Sequence, residues 1–198
     1  MRKLFATAFV TLDGVMESPN EWNPPFWSDE AEEYKREELF GTDALLLGRK
    51  TYEGFAAAWP TMTDEDGFAD RMNNLPKYVV SSTSEDLEWN NAKLLKKDLK
   101  KEVQSLKREP GQDIAIHGSG QLVNSLMQHG LIDELRMMIF PIVLGQSERF
   151  FENHGNSTVL KLIETKSLPN GVIVLHYEAD RNRNKRWLGQ EPHSIQEK

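Results

Sequence analysis

The sequence predicts an α/β fold: a doubly wound, mixed, mostly parallel sheet with helices on both faces and a C-terminal antiparallel hairpin. Three observations predict it. Apolar, β-branched runs alternate with helical patterns over the first three-quarters of the chain. Two strand-to-helix junctions, at Gly48 and at Gly118-Ser119-Gly120, are marked by glycine. Near the end, two β-patterned runs flank Pro169-Asn170-Gly171, a hairpin turn.

The elements follow in order. Residues 3–12 (KLFATAFVTL) read as a buried strand that Asp13-Gly14 breaks. Residues 18–28 hold three prolines with Trp22, Phe26 and Trp27, which makes a loop that is costly to expose. Ser28 is a good N-cap, and Asp29, Glu30, Glu32 and Glu33 crowd the turn after it. A helix follows to Phe40, with Gly41 as its stop. Ala44 to Leu47 is a short buried strand, and Gly48-Arg49-Lys50-Thr51 opens the next helix. A loop around Pro60 and a polar stretch precede the strand Lys77 to Ser81, with a short strand at Ala92 to Leu95. Asp98 caps a helix whose Leu99, Val103 and Leu106 recur at helical spacing, and Pro110-Gly111 ends it. Asp113 to His117 is a strand, and Gln121 to His129 a helix that Gly130 stops. Leu135 to Val143 is a strand interrupted by Pro141, and Thr158 to Leu168 and Val172 to Glu178 form the hairpin.

Composition bounds the function. At about 150 residues per domain, 198 residues make one domain. Residues 1–178 carry the fold, and residues 179–198 are expected to be a polar tail. Its Arg181, Arg183, Lys185 and Arg186 either stay solvated or touch an acidic partner subunit. The chain has no cysteine, which removes disulfides, thiolate zinc sites and a Cys nucleophile. The net charge of −7 argues against nucleic-acid binding. No apolar run approaches the roughly 20 residues that span a bilayer. The five histidines show no HxH or HExxH spacing, so no metal is expected. The chain therefore reads as a soluble cytoplasmic protein.

Three strand ends could hold a phosphate-rich ligand. At Leu45 to Glu53 (LLLGRKTYE), a helix start offers free N–H groups, and Arg49 and Lys50 add charge. The alternative is a tight turn with a solvated arginine. At Ile114 to Met127, Gly118 and Gly120 flank Ser119 with the logic of a pyrophosphate cradle, although Val123 stands where a third glycine would be. Ser81, Ser82 and Thr83 end the strand between them. Together they fit a dinucleotide lying across the strand ends. Trp22 and Trp27 are either a core plug or the wall of a pocket for a flat ring.

These motifs together resemble the dihydrofolate reductase superfamily, in the branch of the C-terminal reductase domain of the bacterial riboflavin-biosynthesis deaminase–reductase. The matching pieces are TLDGVME, LLLGRKTYE, VVSST, HGSGQL and LIDELRMMIFPIVLGQSERFF. The resemblance implies a dihydrofolate reductase-like fold binding NADPH, and commonly a homodimer. It implies that Gly48, Arg49, Lys50 and Thr51 serve the adenine-side phosphates and that Ser81 and Ser82 lie near the 2′-phosphate. The turn Gly118-Ser119-Gly120, with Gln121 and Leu122, would hold the pyrophosphate. Thr11, Asp13 and Gly14 would line the nicotinamide and substrate side, with Asp13 or Glu30 as the acid and Trp22 and Trp27 around the ring. Two positions depart from the branch: Thr7 stands where it carries Lys, and His117 where it carries Glu. These departures weigh against a ribityl-phosphate substrate. The expected function is NADPH-dependent reduction of a small pterin- or pyrimidine-like heterocycle, such as 5-amino-6-(5-phosphoribosylamino)uracil. The alternative is a non-catalytic binder that kept the fold.

Overall fold

A computed structural model describes residues 1–83, 86–96, 98–151 and 157–183. The chain order is β1 (Leu4–Thr11), α1 (Pro19–Trp22), α2 (Asp29–Phe40), β2 (Thr42–Gly48), α3 (Arg49–Ala58) and α4 (Phe68–Asn74). It continues with β3 (Lys77–Val80), β4 (Ala92–Leu95), α5 (Leu99–Arg108), β5 (Asp113–His117), α6 (Gly120–Gln128), β6 (Glu134–Phe140), β7 (Leu160–Ser167) and β8 (Ile173–Ala179). These strands form one sheet in the order β4-β3-β2-β5-β1-β6-β8-β7. Strands β1 to β6 pair parallel; β8 pairs antiparallel with both β6 and β7. The fold is dihydrofolate reductase-like.

The strand period of two explains how the sheet feeds two cores. Ala44 and Leu46 of β2 join Leu122, Val123 and Leu126 of α6 and Val103 and Leu106 of α5 on one face. Leu45 and Leu47 join Leu39 of α2, Tyr52 of α3 and Met72 of α4 on the other. The helices after β2 and β5, two neighbouring strands, therefore leave to opposite faces. Strand ends with that divergence leave a crevice above them, which is where such sheets bind ligands.

A third cluster closes the far end of the sheet. Trp22 packs edge-on against Phe140, with ring centroids 5.3 Å apart, beside Leu168, Val172 and Val174 of the hairpin. Its indole N–H donates to the Glu17 carbonyl at 2.8 Å. Trp22 is thus a core plug, which corrects the reading of it as a pocket wall.

The polar stretch before β3, to which the sequence pattern assigns no element, contains α4. The helix buries only Ala69 and Met72, and Asp64 caps it by accepting from the Phe68 N–H at 2.8 Å. Strand β6 stops at Phe140, before Pro141 rather than after it, because proline cannot donate to the ladder. Strand β8 runs through Ala179, and Arg181 binds Asp133 at 2.6 Å. Most of the expected tail, residues 184–198, lies outside the described residues. No helix among the described residues is long and apolar enough to cross a membrane.

Candidate active site

The crevice is built by two helix starts. Helices α3 and α6 begin where β2 and β5 end, and neither has a side-chain cap on its first turn. Their leading N–H groups are left for another acceptor. Elsewhere Ser28 caps α2, Asp64 caps α4 and Asp98 caps α5. The two uncapped starts touch: a Cβ on Gly48 would lie 2.3 Å from the Ser119 hydroxyl oxygen.

That contact gives the glycine a structural reason: Gly48 leaves room for the Ser119 side chain. Gly120 clears space for Met16 and the Phe150 carbonyl, which a Cβ would meet at 2.9 and 3.1 Å. Gly118 differs. It has φ +65, its nearest neighbour would be Met16 at 3.8 Å, and its N–H is tied to the Thr7 carbonyl at 3.1 Å. Ser119 is also left-handed, at φ 56, so two consecutive residues of this turn leave the usual backbone regions.

The other expected phosphate ligands lie at the ends of β2 and β3 and on the first turns of α3 and α6. Arg49 and Lys50 are exposed and Thr51 is half-buried on the first turn of α3. Arg49 engages Glu53 at 2.9 Å with both side chains about half exposed, a contact weak enough for a phosphate to replace. Ser81 is half-buried and Ser82 exposed beyond β3. Gln121 is exposed, whereas the Leu122 side chain is core, so only its backbone could serve.

On the β1 side, Asp13 is a tie. It accepts from the Thr11 hydroxyl at 2.6 Å, the Gly145 N–H at 2.8 Å and the Leu144 N–H at 3.3 Å. The Thr11 and Gly145 bonds hold its carboxyl down at about 2, so it carries no proton at neutral pH. Gly14, with φ +89, accepts from Phe150 N–H at 2.9 Å and completes the same tie. Asp29 and Glu30 are exposed on the first turn of α2, facing away from the buried side of that helix. Trp27 is half-buried, edge-on to Phe9 at 5.5 Å between centroids.

The buried side of α2 instead carries Lys35 and Glu38. Lys35 donates to the Thr7 hydroxyl at 2.8 Å and is ion-paired with Glu38. The Thr7 hydroxyl donates to Glu38 Oε2 at 3.0 Å, and the Tyr34 hydroxyl to Glu38 Oε1 at 3.3 Å. Both charged side chains are under 10% exposed (8% and 4%). Burying such a pair carries a desolvation cost that only full hydrogen bonding offsets. Thr7 lies in register with His117 on β5 and with Arg136 on β6, and Arg136 in turn with His176 on β8. A polar row thus crosses the sheet just below the Gly118 turn. Burial and the nearby Lys35 charge push His117 down to about 3, so its ring is neutral. The same row opens beside β6 and β8 into a cleft lined by Tyr34, Arg136, Glu164, Lys166, Val174 and His176.

Sequence reasoning missed Lys35 and Glu38. The signal was present: Ala31, Lys35, Glu38 and Leu39 share one helical face, and two of the four are charged. The amine that seemed lost at Thr7 arrives from the helix.

The sheet order and its strand-end crevice define a dihydrofolate reductase-like α/β domain. The chain belongs to the RibD C-terminal domain family, whose model matches residues 2–174. It is 29% identical over 185 residues to the uncharacterized Bacillus subtilis (strain 168) protein YyaP, spanning 89% of this chain and 94% of that one. Its structure resembles a Shewanella sp. PV-4 protein assigned to riboflavin biosynthesis, with TM-score 0.74 and 18% identity over 90% of this chain and 99% of that one. It also resembles Enterococcus faecalis dihydrofolate reductase complexed with NADP(H), with TM-score 0.57 and 15% identity over 90% and 96% of the two chains.

Proposed function

We propose that this protein is an NADPH-dependent reductase of a small pyrimidine- or pterin-like heterocycle. The observation that carries the reading is the meeting of two uncapped helix starts, α3 and α6, at one strand-end crevice. Uncapped N–H groups and an arginine on a weak tether suit the phosphates of a dinucleotide. Ser119, Gln121 and Leu122 offer backbone donors to the pyrophosphate, with Gly48, Gly118 and Gly120 giving the turn its shape. Arg49, Lys50, Thr51, Ser81 and Ser82 serve the adenosine side. NADPH, when bound, supplies the hydride. Thr11, Gly14 and Trp27 bound the ring to be reduced. Family membership and the NADP(H)-bound structural neighbour support the cofactor.

The proton is the open step for this chain's residues. Asp13 is fully ionised and tied to Gly145, and Glu30 points to solvent, so neither meets a general acid's need for a proton aimed at the reacting atom. Solvent water is the donor in this reading. The same observation favours a second reading, in which the chain binds nucleotide and heterocycle without turnover. One assay separates them: NADPH consumption with a panel of aminopyrimidines and pterins. Consumption with any member supports the reductase. Saturable NADPH binding with no consumption across the panel supports the binder.

A further inference from the structure

The candidate dinucleotide crevice lies at the ends of β2 and β5; the cleft beside the hairpin lies beyond β1, over β6, β8 and β7. Strand register sets its charges. Arg136 on β6 faces His176 on β8, and His176 faces Glu164 on β7. Two residues further along β7, Lys166 faces the buried Val174. Two strand spacings, about 10 Å of backbone, separate Arg136 from Glu164. Arg136 is held in place. It donates to Glu134 Oε2 from Nε at 3.2 Å and from Nη2 at 2.7 Å, and its guanidinium lies over the Phe5 ring, 3.9 Å from the centroid. Burial pushes the Glu134 carboxyl up, but hydrogen bonds from Lys3, Arg136 and His176 outweigh it and hold the group at about 2. The anchor of Arg136 is therefore ionised at neutral pH. A guanidinium has five N–H donors. Two of Arg136's go to Glu134, and the other three have no hydrogen-bond partner among the described residues. The Glu164 and Lys166 side chains make no hydrogen bond or ion pair among the described residues, with each other or with Arg136. Tyr34 closes the cleft from α2 and spends its hydroxyl proton on Glu38, at 3.3 Å.

We propose that this cleft binds a small α-amino acid, with its carboxylate on the free edge of Arg136 and its ammonium on Glu164. A positioned arginine with unspent donors suits a planar carboxylate, which it meets with two parallel N–H bonds. Across the cleft, Glu164 is a carboxylate without a cation. A dianion would have to sit beside Glu164, and a simple cation beside Arg136 and Lys166. A zwitterion gives each side a partner. With one charge-assisted hydrogen bond of about 2.7–2.9 Å at each end, the short carboxylate-to-ammonium span of an α-amino acid fits the gap between β6 and β7. Lys166 adds positive charge at the rim. Size sets the rest. The cleft holds about 100 Å³, well below the roughly 300 Å³ at which pockets for drug-sized ligands begin. Its floor of Val174 and its Tyr34 wall leave room for a ligand of few heavy atoms.

The test is an amide NMR titration of the intact protein with three probes: glycine, and its two halves, acetate and methylammonium. Glycine is expected to shift amide signals of β6, β8 and β7. It should bind about tenfold or more tighter than either half, the scale of one charge-assisted hydrogen bond. Glu164→Gln lies on an exposed edge strand, where no side-chain hydrogen bond or ion pair is lost. It should weaken glycine about tenfold and spare acetate. Arg136→Lys keeps the charge beside Glu134 but not the fork, and should weaken glycine and acetate alike. The proposal is overturned if glycine does not bind, if it binds no tighter than acetate, if its shifts fall away from these three strands, or if Glu164→Gln leaves its affinity unchanged.

Discussion

Helices α2 and α5 and helices α3 and α6 start differently, and the difference locates the site. Ser28 accepts from the Ala31 N–H at 3.3 Å and Asp98 from the Lys101 N–H at 3.2 Å, so α2 and α5 are closed by their own side chains. Helices α3 and α6 begin at Gly48 and Ser119 with no side-chain cap. A missing cap costs about 1 kcal/mol. Helices α3 and α6, whose starts touch above adjacent strands, forgo it, as does the single-turn α1. At α3 and α6 the unmet donors lie where a phosphate would meet them.

The largest expected effect comes from forcing the two open starts apart. Gly48→Val puts a branched side chain where even a Cβ would lie 2.3 Å from the Ser119 hydroxyl oxygen. Overpacking of this kind costs about 1–3 kcal/mol, read as a lower urea midpoint. NADPH affinity should fall with it, because both helix starts move.

Next comes acidification. His117, just before the open start of α6, is held at about 3 by burial, below the ordinary value of about 6.5 for histidine. Above that ordinary value neither the folded nor the unfolded chain binds the proton. As pH falls below about 6.5 the unfolded chain takes it first, so stability declines toward about pH 3. Asp13 acts in the same direction but in a lower window: its contribution is complete above the usual carboxylate value and is lost only as pH falls toward about 2. Urea midpoints at pH 7 and pH 5 therefore isolate the histidine. His117→Asn should flatten that difference.

The caps come third. Ser28→Ala and Asp98→Ala should each cost about 1 kcal/mol of stability and leave NADPH affinity unchanged. Ser119→Ala should leave both stability and NADPH affinity nearly unchanged, since no side-chain cap is removed and its donor to the phosphates is a backbone N–H. Equal stability losses at all three positions would erase the distinction between closed and open helices. Smallest is Arg49→Ala. Breaking its exposed i,i+4 contact with Glu53 costs about 0.3–0.5 kcal/mol, but the preference for NADPH over NADH should drop several-fold.

The same comparison shows what could be read from the chain alone. The strand–helix alternation, the caps Ser28 and Asp98 and the two glycine junctions follow from local rules, and they yield the sheet and the crevice. Helix α4 escaped because seven residues with two buried side chains show no clear period. The reason for the glycines also escaped: a pattern shows that Gly48 and Gly120 need room, but only the fold shows that Ser119, Met16 and Phe150 fill it. Lys35 and Glu38 escaped because charged residues on a helix usually face water. Their burial depends on Thr7, about thirty positions away in sequence, which completes their hydrogen bonds. Asp13 showed its place near the rim, but its amide partners lie beyond β6, and these make it a tie and not an acid.

The account's central claim is that the open starts of α3 and α6 hold the phosphates of a dinucleotide. Thermal unfolding of the wild-type protein with NADPH, and separately with NADH, tests it most directly. At 100 times its dissociation constant a ligand adds about 2.7 kcal/mol, which for a chain of this size raises Tm by several degrees. The account predicts that rise with NADPH, a smaller one with NADH at the same concentration, and the loss of the difference in Arg49→Ala. An unchanged Tm with both nucleotides would contradict it.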